Sequence, residues 1–346
     1  MPVAFERLAS FFKANPAFDC VLLASWGTGM GVDPNFYYYS GLDVDRATLI
    51  ARNGETPVLI ANKLNFEMAL DDFPGESIEF EPGEYASTLA KYLAGCKRVA
   101  IPKSYITASF YEKILAAAPA ASLVNATNEF LRQRTRKDEA EIEKIRRAAV
   151  LSRKAFELLD VKEGKTEREV QNEIYSLIHS CGGEPAFRAT VAFGDNARYP
   201  HAHAGERKLK RGEIALIDWG AKLDYYNSDQ TRCVFVGEPD AEQLKAYEKL
   251  QDVFKEVLPF LKPGTPTKEI VKEYERLLSD RGLEPPPHNL GHGIGVEIHE
   301  KPYFSESVDD VIVENCVVAI EPSTYCKSFG ARFEDTVVVR KTASVI

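Results

Sequence analysis

The chain has 346 residues, 45% of them hydrophobic, with 43 Lys plus Arg against 52 Asp plus Glu and a formal net charge of −9. That length fits about two domains, and that apolar share is enough for a real core. Such acidity excludes a role on phosphate backbones and a cationic membrane-surface role.

Residues 1–18 lack the apolar stretch and small-residue cleavage site of a signal peptide, and no apolar run reaches the roughly 18 residues that span a bilayer. The six cysteines include no Cys-x-x-Cys pair, which fits a reducing compartment. A cytoplasmic protein with no nucleic-acid and no membrane partner is expected.

In chain order, residues 1–130 alternate strand and helix signals. Asp19–Ser25 is an apolar run of strand length, and Arg46–Arg52 and Thr56–Ala61 bracket Asn53 and Gly54, a hairpin signature. Tyr85–Leu93 and Ser109–Ala118 have helical spacing. The mixture predicts an α/β domain over 1–130.

Residues 131–346 form the second predicted domain. Ile142, Ile145, Ala149, Ser152, Phe156 and Leu159 share one face of a long helix. Thr135 with Asp138 predicts a loose capping box at its start. An internal repeat follows. Gly164, Glu169, Val170, Glu173, Leu177, Ile178, Gly182 and Glu184 recur one hundred positions on as Gly264, Glu269, Ile270, Glu273, Leu277, Leu278, Gly282 and Glu284. Each copy predicts a capped amphipathic helix ended by glycine. Each is followed by two strands bearing acids: Asp218 and Asp229 in the first half, Glu321 and Glu334 in the second.

A hairpin through Lys222–Asn227 is expected to place Asp218 and Asp229 beside each other. Neighbouring carboxylates in an apolar frame share a proton or need a cation. Four solvated acids at strand ends are the plainer alternative, but duplicated apolar contexts favour a cation site. The segment from His288 to Glu300 is rich in glycine and histidine, and Gly291, Gly293 and Gly295 let backbone pass close to a neighbour. It supplies a candidate imidazole, and His201 and His203 precede the first aspartate strand. Carboxylates with one imidazole suit Mn, Co, Fe or Zn better than Ca.

The stretches Ile217–Ala221, Asn227–Arg232, Gly291–Gly295, His299–Glu300, Ile320–Pro322 and Arg332–Thr336 resemble the pita-bread metallopeptidases: methionine aminopeptidase, aminopeptidase P and prolidase. The likeness covers the second domain, and Phe36–Leu42 resembles the extra N-terminal domain of the prolidase and aminopeptidase P branch. The resemblance implies an α/β creatinase-type domain followed by an α+β pita-bread domain with an internal pseudo-two-fold repeat. It also implies two divalent transition-metal ions (Mn, Co or Zn) held by Asp218, Asp229, His292, Glu321 and Glu334, with Asp229 and Glu334 bridging. His201 and His299 would contact substrate, Arg332 would steady the site, and Glu321 would move a proton from water towards the leaving amine. The implied activity is hydrolysis of the Xaa-Pro bond in dipeptides or short peptides by a metal-activated hydroxide, in a homodimer.

Three features depart from the family. Ser323 follows the Glu-Pro pair where glycine is usual, and Leu223 and Tyr225 stand where tyrosine and glycine are common. Tyr303 replaces the arginine with which prolidases often grip a dipeptide's carboxylate, a task that Lys301, Arg198 or Arg332 would have to assume. Two alternatives compete with the peptidase reading: a non-catalytic binding module, and a metal-dependent lyase or other hydrolase on the same fold. The complete ligand set argues against the binding module.

Overall fold

The structure is a computed structural model that describes residues 3–26, 32–81 and 83–346. The chain divides into two compact units, Met1–Gln133 and Arg134–Ile346.

The first unit runs α1 (Val3–Ala14), β1 (Cys20–Ser25), α2 (Pro34–Ser40), β2 (Ala47–Arg52), β3 (Val58–Asn62), α3 (Phe66–Asp72), β4 (Glu76–Phe80), α4 (Tyr85–Leu93), β5 (Arg98–Ile101), α5 (Ala108–Ala117) and β6 (Ser122–Asn125), with α6 (Thr127–Thr135) crossing the boundary. Its six strands form one mixed sheet in the order β4-β3-β2-β1-β5-β6. The Asn53-Gly54 signal does join antiparallel strands: β2 pairs with β3, and Gly54 takes a left-handed φ of 82°. Strand β1 is buried along its whole length, so it reads as a continuous apolar run rather than an alternation.

The second unit opens with α7 (Glu139–Glu157), α8 (Glu167–Ser180), β7 (Glu184–Pro185) and β8 (Thr190–Phe193). Next come β9 (Ile214–Trp219), β10 (Ala221–Leu223), β11 (Tyr226–Asn227), β12 (Gln230–Phe235) and α9 (Ala241–Val257). The second half carries α10 (Thr267–Ser279), β13 (Gly291–Gly293), β14 (Glu300–Tyr303) and β15 (Cys316–Ile320), then β16 (Ser323–Tyr325), β17 (Gly330–Arg332), β18 (Asp335–Val339) and β19 (Ala343–Val345). Strands order as β12-β9-β8 in one sheet and β14-β13-β15-β18-β19 in another. A bridge between Thr231 and Glu334 joins the two halves at the acid-bearing ends.

The cap of α7 differs from expectation. Thr135 closes α6, and Asp138 alone caps α7 in a reciprocal box with Glu141. The helix face is as predicted: Ile142, Ile145, Ala149 and Ser152 are buried. Phe156 stacks on Trp219 with ring centroids 4.2 Å apart, and the Trp219 Nε1–H donates to the Ser152 carbonyl at 3.0 Å.

The repeat extends to backbone bonds. Gly164 N donates to Leu209 O and Gly264 N to Ile312 O; Glu167 N donates to Arg207 O and Thr267 N to Asp310 O. Gly182 and Gly282 end α8 and α10 with positive φ. The caps are not equivalent, however. Thr166 forms a capping box with Glu169, whereas Pro266, at the matching place, offers no side-chain acceptor.

Alternation along β9 sorts its side chains between two cores. Ala215, Ile217 and Trp219 pack with α7 and α8, while Ile214 and Leu216 pack with α9 and α10. Asp218 follows the Ile214 and Leu216 parity, at the strand end where that face opens. Hydrophobic burial on both faces thus fixes the register that presents the acid.

Candidate functional site

The expected hairpin between the aspartates is interrupted. Strand β9 pairs with β12 so that Asp218 faces Thr231, not Asp229. The intervening residues form a separate hairpin, β10 with β11, turned through Asp224 and Tyr225 with φ of 48° and 68°. Asp229 therefore lies diagonally across from Asp218, two residues beyond Thr231 and on the same face, still within interacting reach. In the second half Ile320 pairs with Asp335, which brings Glu321 and Glu334 to the end of the ladder.

Two threonines at matching repeat positions cross-brace the halves. Thr231 Oγ1 donates to Glu334 Oε2 at 2.6 Å, and Thr336 Oγ1 donates to the Asp229 carbonyl at 3.0 Å. Arg332 is 2% exposed and reaches three groups at once. It donates to Asp218 Oδ2 at 2.7 Å and Thr231 Oγ1 at 3.1 Å, and lies 3.5 Å from Glu321 Oε2.

His292 sits in β13, which crosses β15 with Gly291 opposite Ile320 and His292 opposite Ala319. A Cβ on Gly291 would lie 2.1 Å from the Ala319 carbonyl oxygen, and one on Gly293 would lie 2.1 Å from that of Lys301. Only glycine permits that approach. The His292 Nδ1 lies 3.0 Å from the Gly293 carbonyl, so Nδ1 carries the proton and Nε2 keeps its lone pair, 3.6 Å from Asp229 Oδ2. His299 packs edge-on against His292, with centroids 4.3 Å apart.

Asp218, Asp229, His292, Glu321, Glu334, His201, His299 and Arg332 all line one pocket of about 250 Å³, with Phe187, Arg188, Thr190, Ala202 and Ile298. Donor atoms of Asp229, His292 and Glu334 lie within 4.8 Å of one another. Burial pushes the carboxyls of Asp218, Asp229 and Glu334 up, and the neighbouring acids raise Asp229 and Glu334 further. Burial also pushes His292 down to about 3, so its imidazole is neutral and able to donate a lone pair. Asp218 Oδ1 and Asp229 Oδ1 are buried with no hydrogen-bond partner. Orphaned buried carboxyl oxygens either keep a proton or call for a cation. Hard oxygen donors with one imidazole suit a divalent transition metal.

The sequence reading assigned no role of their own to three groups. His288 Nδ1 lies 3.5 Å from Glu321 Oε2, and its Nε2 is 3.0 Å from both Tyr325 Oη and Ser323 Oγ. Ser323, the departure noted above, thus steadies His288. Arg188 lines the pocket but carries no sequence signal. Thr231 was visible only as part of a motif. Of the three cations proposed for a substrate carboxylate, Lys301 is paired with Asp310 at 2.6 Å and Arg332 is committed to the acids. Arg198 donates to the Lys327 carbonyl and to Tyr199 Oη.

A buried cluster of carboxylates drawn from both halves, with one imidazole, has the donor chemistry of a metal-dependent hydrolase. Residues 143–341 match the model of metallopeptidase family M24, and residues 13–136 match the creatinase/prolidase N-terminal domain. The chain belongs to family M24. It is 32% identical over 344 residues to the Xaa-Pro dipeptidase of Pyrococcus horikoshii, covering 98% of this chain and 95% of that one. Among solved structures it is similar to an Xaa-Pro dipeptidase from Bacillus anthracis, with a TM-score of 0.91 at 25% identity over 99% of this chain and 97% of that one. An X-Pro aminopeptidase from Thermotoga maritima gives a TM-score of 0.88 at 27% identity over 95% of each chain. Among the described residues, no helix is long and apolar enough to cross a membrane.

Proposed function

We propose that this chain hydrolyses the Xaa-Pro bond of dipeptides or short peptides, with Asp218, Asp229, His292, Glu321 and Glu334 holding two divalent ions of Mn, Co or Zn. The observation that carries the reading is the pair of buried, unpartnered carboxylate oxygens among five donors drawn from both halves. A divalent ion held there supplies Lewis acidity, which lowers the pKa of a water and polarises a carbonyl. Glu321, oriented by Arg332 and His288, takes a proton from water and passes it to the leaving proline nitrogen. His201 and His299 hold the substrate and the charge that develops on its carbonyl oxygen.

The pocket supports a short substrate. About 250 Å³ falls below the roughly 300–1,000 Å³ of drug-sized ligand sites, which favours a dipeptide. Among the described residues no carboxylate pairs with Arg188, so its guanidinium is available to a free substrate carboxylate. Arg188→Met should raise KM for Leu-Pro while leaving KM for Leu-Pro-amide unchanged. A cytoplasmic location, supported by six free cysteines, and a homodimer belong to the same reading. Activity against Met-Pro, Leu-Pro, Xaa-Pro-Xaa and Met-Xaa peptides, with Mn, Co or Zn added, tests it. Hydrolysis of none of them with any metal overturns it.

A further inference from the structure

The turn from His292 to His299 is wrapped around a buried carboxylate that the chemistry above does not use. Glu300 is 1% exposed and follows His299 directly. Its Oε1 accepts from an Arg134 guanidinium nitrogen at 2.5 Å and from the Glu297 N–H at 3.0 Å. Its Oε2 accepts from Lys137 Nζ at 3.1 Å. Arg134 and Lys137 side chains are themselves 1% exposed, and Arg134 also reaches Glu297 at 2.7 Å. Burial alone would raise the Glu300 carboxyl, but the two cations outweigh it and hold it down at about 2.

The turn is built to fit that carboxylate. A Cβ on Gly295 would lie 2.7 Å from Glu300 Oε2, so glycine there leaves room for the acid. On its other side the turn is tied to β11, where Asn227 Nδ2 donates to the Gly295 and Val296 carbonyls at 2.9 Å. Between these two anchors, His292 and His299 are brought edge to face.

We propose that Glu300, clamped by Arg134 and Lys137, is a positioning residue that sets His299 against His292 and substrate. The proposal rests on the reading of these histidines as metal and substrate groups. Stability does not explain a buried triad well, because such clusters are often replaceable by apolar residues at no loss. Geometry does, since a displacement of about 1 Å at a reacting group can cost about 100-fold in rate.

The test uses the triple variant Arg134→Met/Lys137→Met/Glu300→Leu, which removes the three buried charges together, and the single variant Glu300→Asp, which keeps the charge but retracts it by one methylene. With Leu-Pro and Mn, the triple variant should fold and bind Mn with unchanged stoichiometry while kcat falls about 100-fold. Glu300→Asp should lose about tenfold in kcat with KM little changed. In Co-loaded protein the paramagnetically shifted ring signals of His299 should move in both variants, while those of His292 stay. Wild-type kcat in whichever variant folds, or His299 signals that do not move, overturns the proposal. If the wild type hydrolyses no Xaa-Pro peptide, the functional reading fails, and the His299 signals still decide the positioning.

Discussion

Glu321→Gln separates the chemistry of this site from its stability. The amide keeps the side-chain shape but cannot accept the proton, so turnover of Leu-Pro should fall about 10²–10⁴-fold. The metal-free fold should gain instead. Within it, burial first and Asp218 second raise the Glu321 carboxyl from 4.5 to about 7, against the opposing pull of Arg332. The difference, about 7 minus 4.5, corresponds at 1.36 kcal/mol per unit to up to about 3 kcal/mol. The side chain is 14% exposed, so water trims this figure without abolishing it. A carboxyl raised on folding holds its proton more tightly folded than unfolded. Its contribution is therefore complete below pH 4.5 and is lost as pH rises through about 7. Glutamine has no proton to lose. Urea unfolding in EDTA, followed by circular dichroism, should give similar stabilities for variant and wild type near pH 4.5. At pH 8 the variant should be more stable by up to about 3 kcal/mol. A difference that does not change with pH, or a variant less stable at pH 8, would refute the reasoning.

Asp229→Asn should abolish tight Mn binding by calorimetry and lose activity with it, because Asp229 lies among the closest donors; unchanged affinity would remove Asp229 from the ligand set. Gly293→Ala forces a Cβ to 2.1 Å from the Lys301 carbonyl and should displace His292, lowering both metal affinity and the thermal midpoint. Tyr225 holds a left-handed φ of 68°, so Tyr225→Gly should relieve about 1–2 kcal/mol of strain and return about 0.5–1 in backbone entropy, a net gain of up to about 1 kcal/mol by denaturant unfolding.

Much of the site was legible because its acids sit in or beside short apolar strands that are duplicated in the chain. The hundred-residue offset between the α8 and α10 segments marked the two halves, and the apolar run from Ile214 to Ile217 marked the strand that carries Asp218. Register was not legible. A two-residue shift between β9 and β12 is invisible in composition, since the connecting residues fold as their own hairpin with two residues in the left-handed region. The Thr135 cap was misplaced because two helices abut there and both Thr135 and Asp138 are competent cap residues. The roles of His288, Arg188 and the Arg134–Lys137–Glu300 cluster were not legible for a different reason. Their partners lie 33, 163 or 166 residues away or across the pocket, and separation of that order carries no local pattern.

The split of the donors between the two halves orders events in time. On the proposed ligand set, a ribosome that has made Asp218 and Asp229 has made two of the five donors. His292, Glu321 and Glu334 come later, the last of them 116 residues after the first donor (334 − 218). Ion capture would thus report that both halves have been synthesised and docked, and a chain stopped between them would neither sequester metal nor cut peptide.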